Sequence, residues 1–114
     1  MEPESATQVQ GEANGAICPH FHCAIELIGK RWTGAIVVAL TERPMRYGEL
    51  GKAVPGLSDR LLSQRLRELE EEGLVERVVE AGSPVRVTYS LTVVGQELDP
   101  VLNQLKSWAR RWRG

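Results

Sequence analysis

The stretch Ser58 to Gly73 constrains this chain more than any other, because it marks both of its own ends and carries two chemically different sides. Pro55-Gly56 ahead of it is a turn signal. Ser58 suits an N-cap, since its hydroxyl can accept an orphan N–H of the first helical turn. Asp59 suits the positive end of the helix dipole. Gly73 can take the left-handed conformation that closes a helix. Inside, Leu62, Leu66 and Leu69 fall at i, i+4 and i+7 and form one apolar stripe. Half a circle round, Arg60, Gln64 and Arg67 repeat that spacing, with Ser63 at their edge. Guanidinium and amide groups donate hydrogen bonds to phosphates and base edges. The acids gather in the second half. The helix is therefore apolar behind, basic and amide-bearing in front, and acidic at its far end, as a helix that reads a DNA groove should be.

Charge along the chain sharpens this. The formal net charge of −1 carries no argument for a polyanionic partner. Residues 43–67, however, hold six bases and two acids, a net of +4, and residues 68–80 hold six acids and one base, a net of −5. Such segregation favours a localised basic surface over mixed solvated faces. With 114 residues, 42% of them hydrophobic, the chain is long enough for one domain with a core of its own.

In order along the chain, residues 1–16 are polar and small, with three acids, no base and no periodicity; a disordered tail is expected there, with the domain over 17–114. Pro19 suits the first position of a helix, which makes Cys18 its N-cap; Phe21, Ala24, Ile25 and Ile28 give its stripe, and Gly29 ends it. Lys30 to Thr33 is a link. Gly34 to Thr41 is nearly all apolar. Its Ile36-Val37-Val38 run favours a strand by propensity, but a short buried helix capped by Thr33 is preferred, because Leu40 continues the stripe. Arg43 to Arg46 breaks the pattern. Tyr47, Leu50 and Val54 mark a short amphipathic helix that Pro55 stops. Two helices joined by a short turn make a helix-turn-helix. Leu74–Val79 and Val85–Leu91 read as strands joined by a turn over 81–84, a hairpin placed as a wing. Thr92 caps a last helix with apolar positions Val94, Leu98, Val101, Leu102, Leu105, Trp108 and Trp112, and Pro100 should kink or break it.

Six words in this order carry a resemblance: Cys18-Pro19, Leu27-Ile28-Gly29-Lys30-Arg31-Trp32, Arg46-Tyr47-Gly48-Glu49-Leu50, Leu62 to Glu70, Gly73 to Arg77, and Tyr89-Ser90-Leu91-Thr92. With them the chain resembles the HxlR-type winged-helix transcription regulators, relatives of the MarR group. The fold class expected is α+β, mostly α: a winged helix-turn-helix with a two-stranded wing and N- and C-terminal dimerisation helices. The resemblance implies a homodimer in which first and last helices pack across a two-fold axis. Phe21, Leu105, Trp108 and Trp112 are the interface candidates; the two tryptophans alone form a face large for a terminal helix on so small a domain.

The DNA-binding candidates are Arg60, Gln64 and Arg67, then Ser63 and Ser58 on the same helix. Arg86 and Ser83 follow on the wing, and Arg46 and Tyr47 at the start of the preceding helix, where phosphate contacts are usual in this fold. Tyr47 serves a core equally well. Arg65 flanks the leucine stripe and ranks lower, because an acidic neighbour can engage it. Double-stranded DNA is the expected partner, with an oxidant or small-molecule signal possible, and repression is expected before activation, because occluding a promoter needs only binding.

Cys18, at a helix N-terminus, faces free backbone N–H groups, a setting that makes thiols reactive. In some regulators resembling this one, that thiol senses oxidants or electrophiles. This chain departs from the simplest pattern, having no cysteine near its C-terminus to resolve an oxidised thiol; Cys23 reads as a small apolar residue of the first helix. His20 and His22 between the two cysteines raise a metal, but four ligands within one helical turn and its entry cannot readily build a tetrahedron. No metal and no cofactor are expected.

No phosphate loop, carboxylate pair or Ser/His/Asp word points to an enzyme. A winged helix that binds protein instead of DNA is the alternative reading, and the basic 43–67 segment weighs against it. With no signal peptide and no apolar run of transmembrane length, neither a membrane partner nor a membrane location is expected, and the cytoplasm is the expected compartment.

Overall fold

A computed structural model describes residues 18–114; the tail expected over 1–16 lies outside the described residues. The chain divides into two units, one ending at Arg31 and one running from Trp32 to Gly114.

Among the described residues the first unit holds the helix α1, Pro19–Ile28. Cys18 is its N-cap, with extended backbone, and its Sγ accepts the Phe21 N–H at 3.5 Å. Pro19 takes the first helical position, where a missing N–H leaves nothing unsatisfied. The Gly29 N–H closes the far end on the Ile25 carbonyl at 2.7 Å. Phe21 and Ile25 lie one turn apart, and both are exposed.

The second unit opens with α2, Thr33–Glu42, and the apolar run is a helix as expected. Its cap is not Thr33. Trp32 adopts φ 78°, and its carbonyl accepts the Ile36 N–H at 3.0 Å, which places Thr33 inside the first turn. The Thr33 hydroxyl is buried and has no hydrogen-bond partner among the described residues. A left-handed non-glycine residue costs roughly 1–2 kcal/mol. The Trp32 indole lies beside Gly56, where an added Cβ would meet Trp32 Cη2 at 3.4 Å. Gly56 itself has φ +92°, a turn conformation that favours glycine.

Two helices follow, α3 over Tyr47–Ala53 and α4 over Asp59–Glu71. Ser58 caps α4, its Oγ accepting the Leu61 N–H at 3.2 Å. At the other end Gly73, with φ +78°, donates to the Glu70 carbonyl at 3.0 Å, and Leu74 donates to the Leu69 carbonyl at 2.9 Å. That pair of bonds is the Schellman closure, and buried Leu69 and Leu74 supply its apolar contact.

The wing is β1, Val75–Glu80, antiparallel to β2, Arg86–Leu91, in a register running from Val75 opposite Leu91 to Glu80 opposite Arg86. Only its base is buried, at Val75 and Leu91; Val78, Val79 and Val85 stand in solvent. Burial therefore stops where the hairpin leaves the body. Met45 joins the sheet as an isolated bridge, donating to the Tyr89 carbonyl at 3.0 Å and accepting from its N–H at 2.8 Å. The segment that reads only as a breaker thus ties the helix-turn-helix to the wing.

Thr92 caps a helix, but a short one. Its Oγ1 accepts the Gly95 N–H at 3.1 Å to start α5, Val93–Gln96, and donates to the Gly73 carbonyl at 2.6 Å. A Cβ on Gly95 would lie 2.1 Å from the Leu74 carbonyl oxygen, so α5 can pass this close only as glycine. The break falls at Glu97, and α6 runs from Leu98 to Arg113. Pro100 stands in the first turn of α6, where no intrahelical bond is lost, so it marks the start of a helix rather than a kink within one. The core collects Ile36, Val37 and Leu40 from α2, Leu50 from α3, Leu62, Leu66 and Leu69 from α4, and Leu102 from α6.

Candidate nucleic-acid interface

The leucine stripe buries one side of α4 almost completely: Leu62 and Leu69 are 0% exposed and Leu66 1%. Arg60, Gln64 and Arg67 are consequently exposed on the opposite side. Among the described residues none of the three has an ion-pair or hydrogen-bond partner, so their donors are open to an external acceptor. At about 1.5 Å of rise per residue, Arg60 and Arg67 stand about 10.5 Å apart along the axis with Gln64 between them.

The first turn of α4 is gripped from α3. The Tyr47 hydroxyl donates to the Asp59 carbonyl and lies 2.9 Å from Ser63 Oγ. Tyr47 and Ser63 are both half-buried. Ser58 is exposed, with one lone pair of its hydroxyl engaged by the helix N-terminus. Arg65 takes the bracing position: its Nη1 lies 3.1 Å from Glu68 Oε1, and the side chains are only 13% and 23% exposed.

Arg46 is exposed at the N-cap of α3, its backbone N–H donating to Glu49 Oε1 at 2.8 Å. Arg43 Nη1 stands 3.5 Å from the same carboxylate. The Arg46 backbone bond, helped by the charge of Arg43, holds the Glu49 carboxyl below its ordinary range. Sequence reading passed over Glu49; its place three residues after Arg46 in a capping pattern was the available signal. On the wing, Ser83 lies exposed in the connection between strands, and Arg86 faces Glu80 across the ladder. That pairing was legible only once the register was known.

Elsewhere, Leu105, Trp108 and Trp112 line one side of α6, at 50%, 49% and 63% exposure, with Val101 continuing the row. The two indoles stack at 5.1 Å between centroids, and the Arg113 guanidinium lies 5.0 Å from the Trp112 ring. In the other unit Phe21 is 65% exposed, and Cys18 and Cys23 are free, exposed thiols. Among the described residues no cluster of three or more His, Cys, Asp or Glu could hold a metal, and no helix is long and apolar enough to cross a membrane.

Comparison with known proteins agrees with this geometry. Residues 27–114 match the model of the HxlR-like helix-turn-helix family. The HTH-type transcriptional regulator YvaP of Bacillus subtilis is 45% identical over 96 residues, covering 84% of this chain and 89% of that protein. The regulator YodB of the same organism is 40% identical over 93 residues, covering 82% of this chain and 83% of its own length. The structure of reduced YodB superposes with a TM-score of 0.77 at 40% identity, over 82% of this chain and 91% of that one. The redox regulator HypR in its reduced form also gives 0.77, at 33% identity, over 82% and 93%.

Proposed function

We infer that this chain, which belongs to the HxlR-like helix-turn-helix family and is a DNA-binding transcriptional regulator, not an enzyme, works as a cytoplasmic homodimer that represses its target promoters. One observation carries the DNA-reading part. A helix capped at both ends buries its leucines and leaves Arg60, Gln64 and Arg67 outward and unengaged. Arg60 and Gln64 read base edges, Arg67 extends that row, and Arg46 and Arg86 hold phosphates on either flank. Ser58 and Ser83 lie at the edges of the same surface, and Arg65 supports it from behind. The direct test is recovery of bound DNA from a random-sequence pool. Enrichment of a two-fold-related sequence supports the reading, and recovery without sequence preference contradicts it.

The dimer reading rests on two apolar faces. The Leu105, Trp108 and Trp112 row of α6 and, separately, the Phe21 and Ile25 face of α1 are exposed in the single chain. A second copy covers them, and the resulting pair presents two reading helices to two half-sites.

A signal enters at Cys18. YodB has been solved reduced, diamide-treated and quinone-bound, and HypR reduced and oxidised. Here Cys18 is exposed at a helix N-terminus with a backbone N–H on its sulfur. Cys23 cannot resolve it within the same chain, because five residues of helix separate the two by about 7.5 Å of rise, beyond the reach of a disulfide. Oxidation therefore joins Cys18 to a thiol of another molecule, and a quinone adds to it directly. Mild peroxide or a quinone changes DNA affinity in the wild type and leaves Cys18→Ser unmoved; an identical response in both removes Cys18 from sensing.

A further inference from the structure

The hydroxyls of Tyr47 and Ser63, both plausible DNA contacts by position, are turned on one another. Each carries a single proton, and counting protons decides what the pair can do. The Asp59 carbonyl is purely an acceptor, so the bond between it and Tyr47 uses the tyrosine proton. The 2.9 Å bond between Tyr47 Oη and Ser63 Oγ must then use the serine proton. A phosphate oxygen accepts and does not donate. While both bonds stand, neither hydroxyl has a proton left for a phosphate.

We propose that Tyr47 and Ser63 form an internal clamp that sets the rotation of α4 against α3, and that both are positioning residues for base reading rather than donors to phosphate. This rests on α4 being the reading helix. The two residues gripped on α4, Asp59 and Ser63, are one turn apart, and each is the chain neighbour of a reading side chain, Arg60 and Gln64 respectively. A rotation too small to disturb the leucine stripe still displaces those tips relative to base edges. Recognition groups need placing to within about 0.5 Å. The tyrosine ring is half-buried, so Tyr47→Phe keeps the packing and removes only the clamp.

The experiment measures binding of wild type, Tyr47→Phe, Ser63→Ala and the double variant to two duplexes. One carries the sequence that the wild type selects from a random pool, and the other is its scrambled counterpart. Each single variant should weaken binding to the selected duplex by roughly threefold to tenfold, the worth of one hydrogen bond. Binding to the scrambled duplex should not change, and the double variant should be no worse than the weaker single one. Losses that multiply in the double variant, or that are equal on both duplexes, mean independent contacts to phosphate and overturn the clamp. A wild type that shows no preference for any sequence fails the DNA-reading account instead, so the two failures are told apart.

Discussion

Arg65 and Glu68 form an ion pair at 3.1 Å on the flank of the leucine stripe, with the side chains 13% and 23% exposed. Two bonds run from the same guanidinium nitrogen to the two carboxylate oxygens, at 3.1 and 3.3 Å. Partly desolvated charge-assisted bonds of this kind are worth more than surface pairs. Arg65→Ala should therefore lower stability by about 1–2 kcal/mol, measured by urea unfolding. The preference for the selected duplex over a scrambled one should be retained; its loss would make Arg65 a base contact.

The Glu49 carboxyl titrates below its ordinary range because it accepts the Arg46 N–H and lies near Arg43. A carboxyl depressed in the folded state contributes stability that is present above its unfolded value and is lost as pH falls through the folded one. Acid unfolding of the wild type should therefore include a Glu49 contribution just below the usual carboxylate range. Glu49→Gln should flatten that limb and leave stability near neutral pH less dependent on acidification. Unchanged acid profiles in the two proteins would place the Arg46 bond outside the stability of α3.

On the wing, Arg86 stands opposite Glu80 in the strand register, so an acidic residue neighbours it on the surface offered to DNA. Arg86→Ala should weaken selected and scrambled duplexes alike and reduce the slope of log affinity against log salt by about 1. Glu80→Gln should do the reverse, strengthening both. A loss confined to the selected duplex would make Arg86 a base reader.

Trp108 lies at the centre of the exposed row on α6, stacked on Trp112 and next to Leu105 in the same stripe. Tryptophan is enriched among the few interface residues whose truncation costs about 2 kcal/mol or more. Trp108→Ala should raise the dimer dissociation constant by at least about tenfold, read by sedimentation across a concentration series. A variant as dimeric as the wild type would leave this face without a partner.

Much of this architecture is legible in the sequence, because local chemistry determines it. Ser58 and Gly73 cap α4 as their side-chain chemistry requires, Cys18 and Pro19 begin α1, and the i, i+4, i+7 leucines settle which side of α4 is outward. What escapes are relations between distant residues. Thr33 reads as a cap by propensity, but Trp32, in a left-handed conformation that its sequence does not announce, takes the N-cap position, with its indole beside Gly56 far along the chain. Nothing local in Arg43–Arg46 announces the Met45 bridge to Tyr89. Alternation along β2 shows a strand but not how far it projects beyond the body, so the exposure of Val78 and Val79 could not be read. Tyr47 and Ser63 meet only because α3 and α4 cross where they do.

The most direct measurement is the affinity of wild type, Arg60→Ala and Gln64→Ala for the selected duplex and its scrambled counterpart at fixed salt. Each substitution should lose roughly 1–3 kcal/mol on the selected duplex and little on the scrambled one. Equal losses on both, or no loss on either, would contradict the claim that the outward side of α4 reads base sequence.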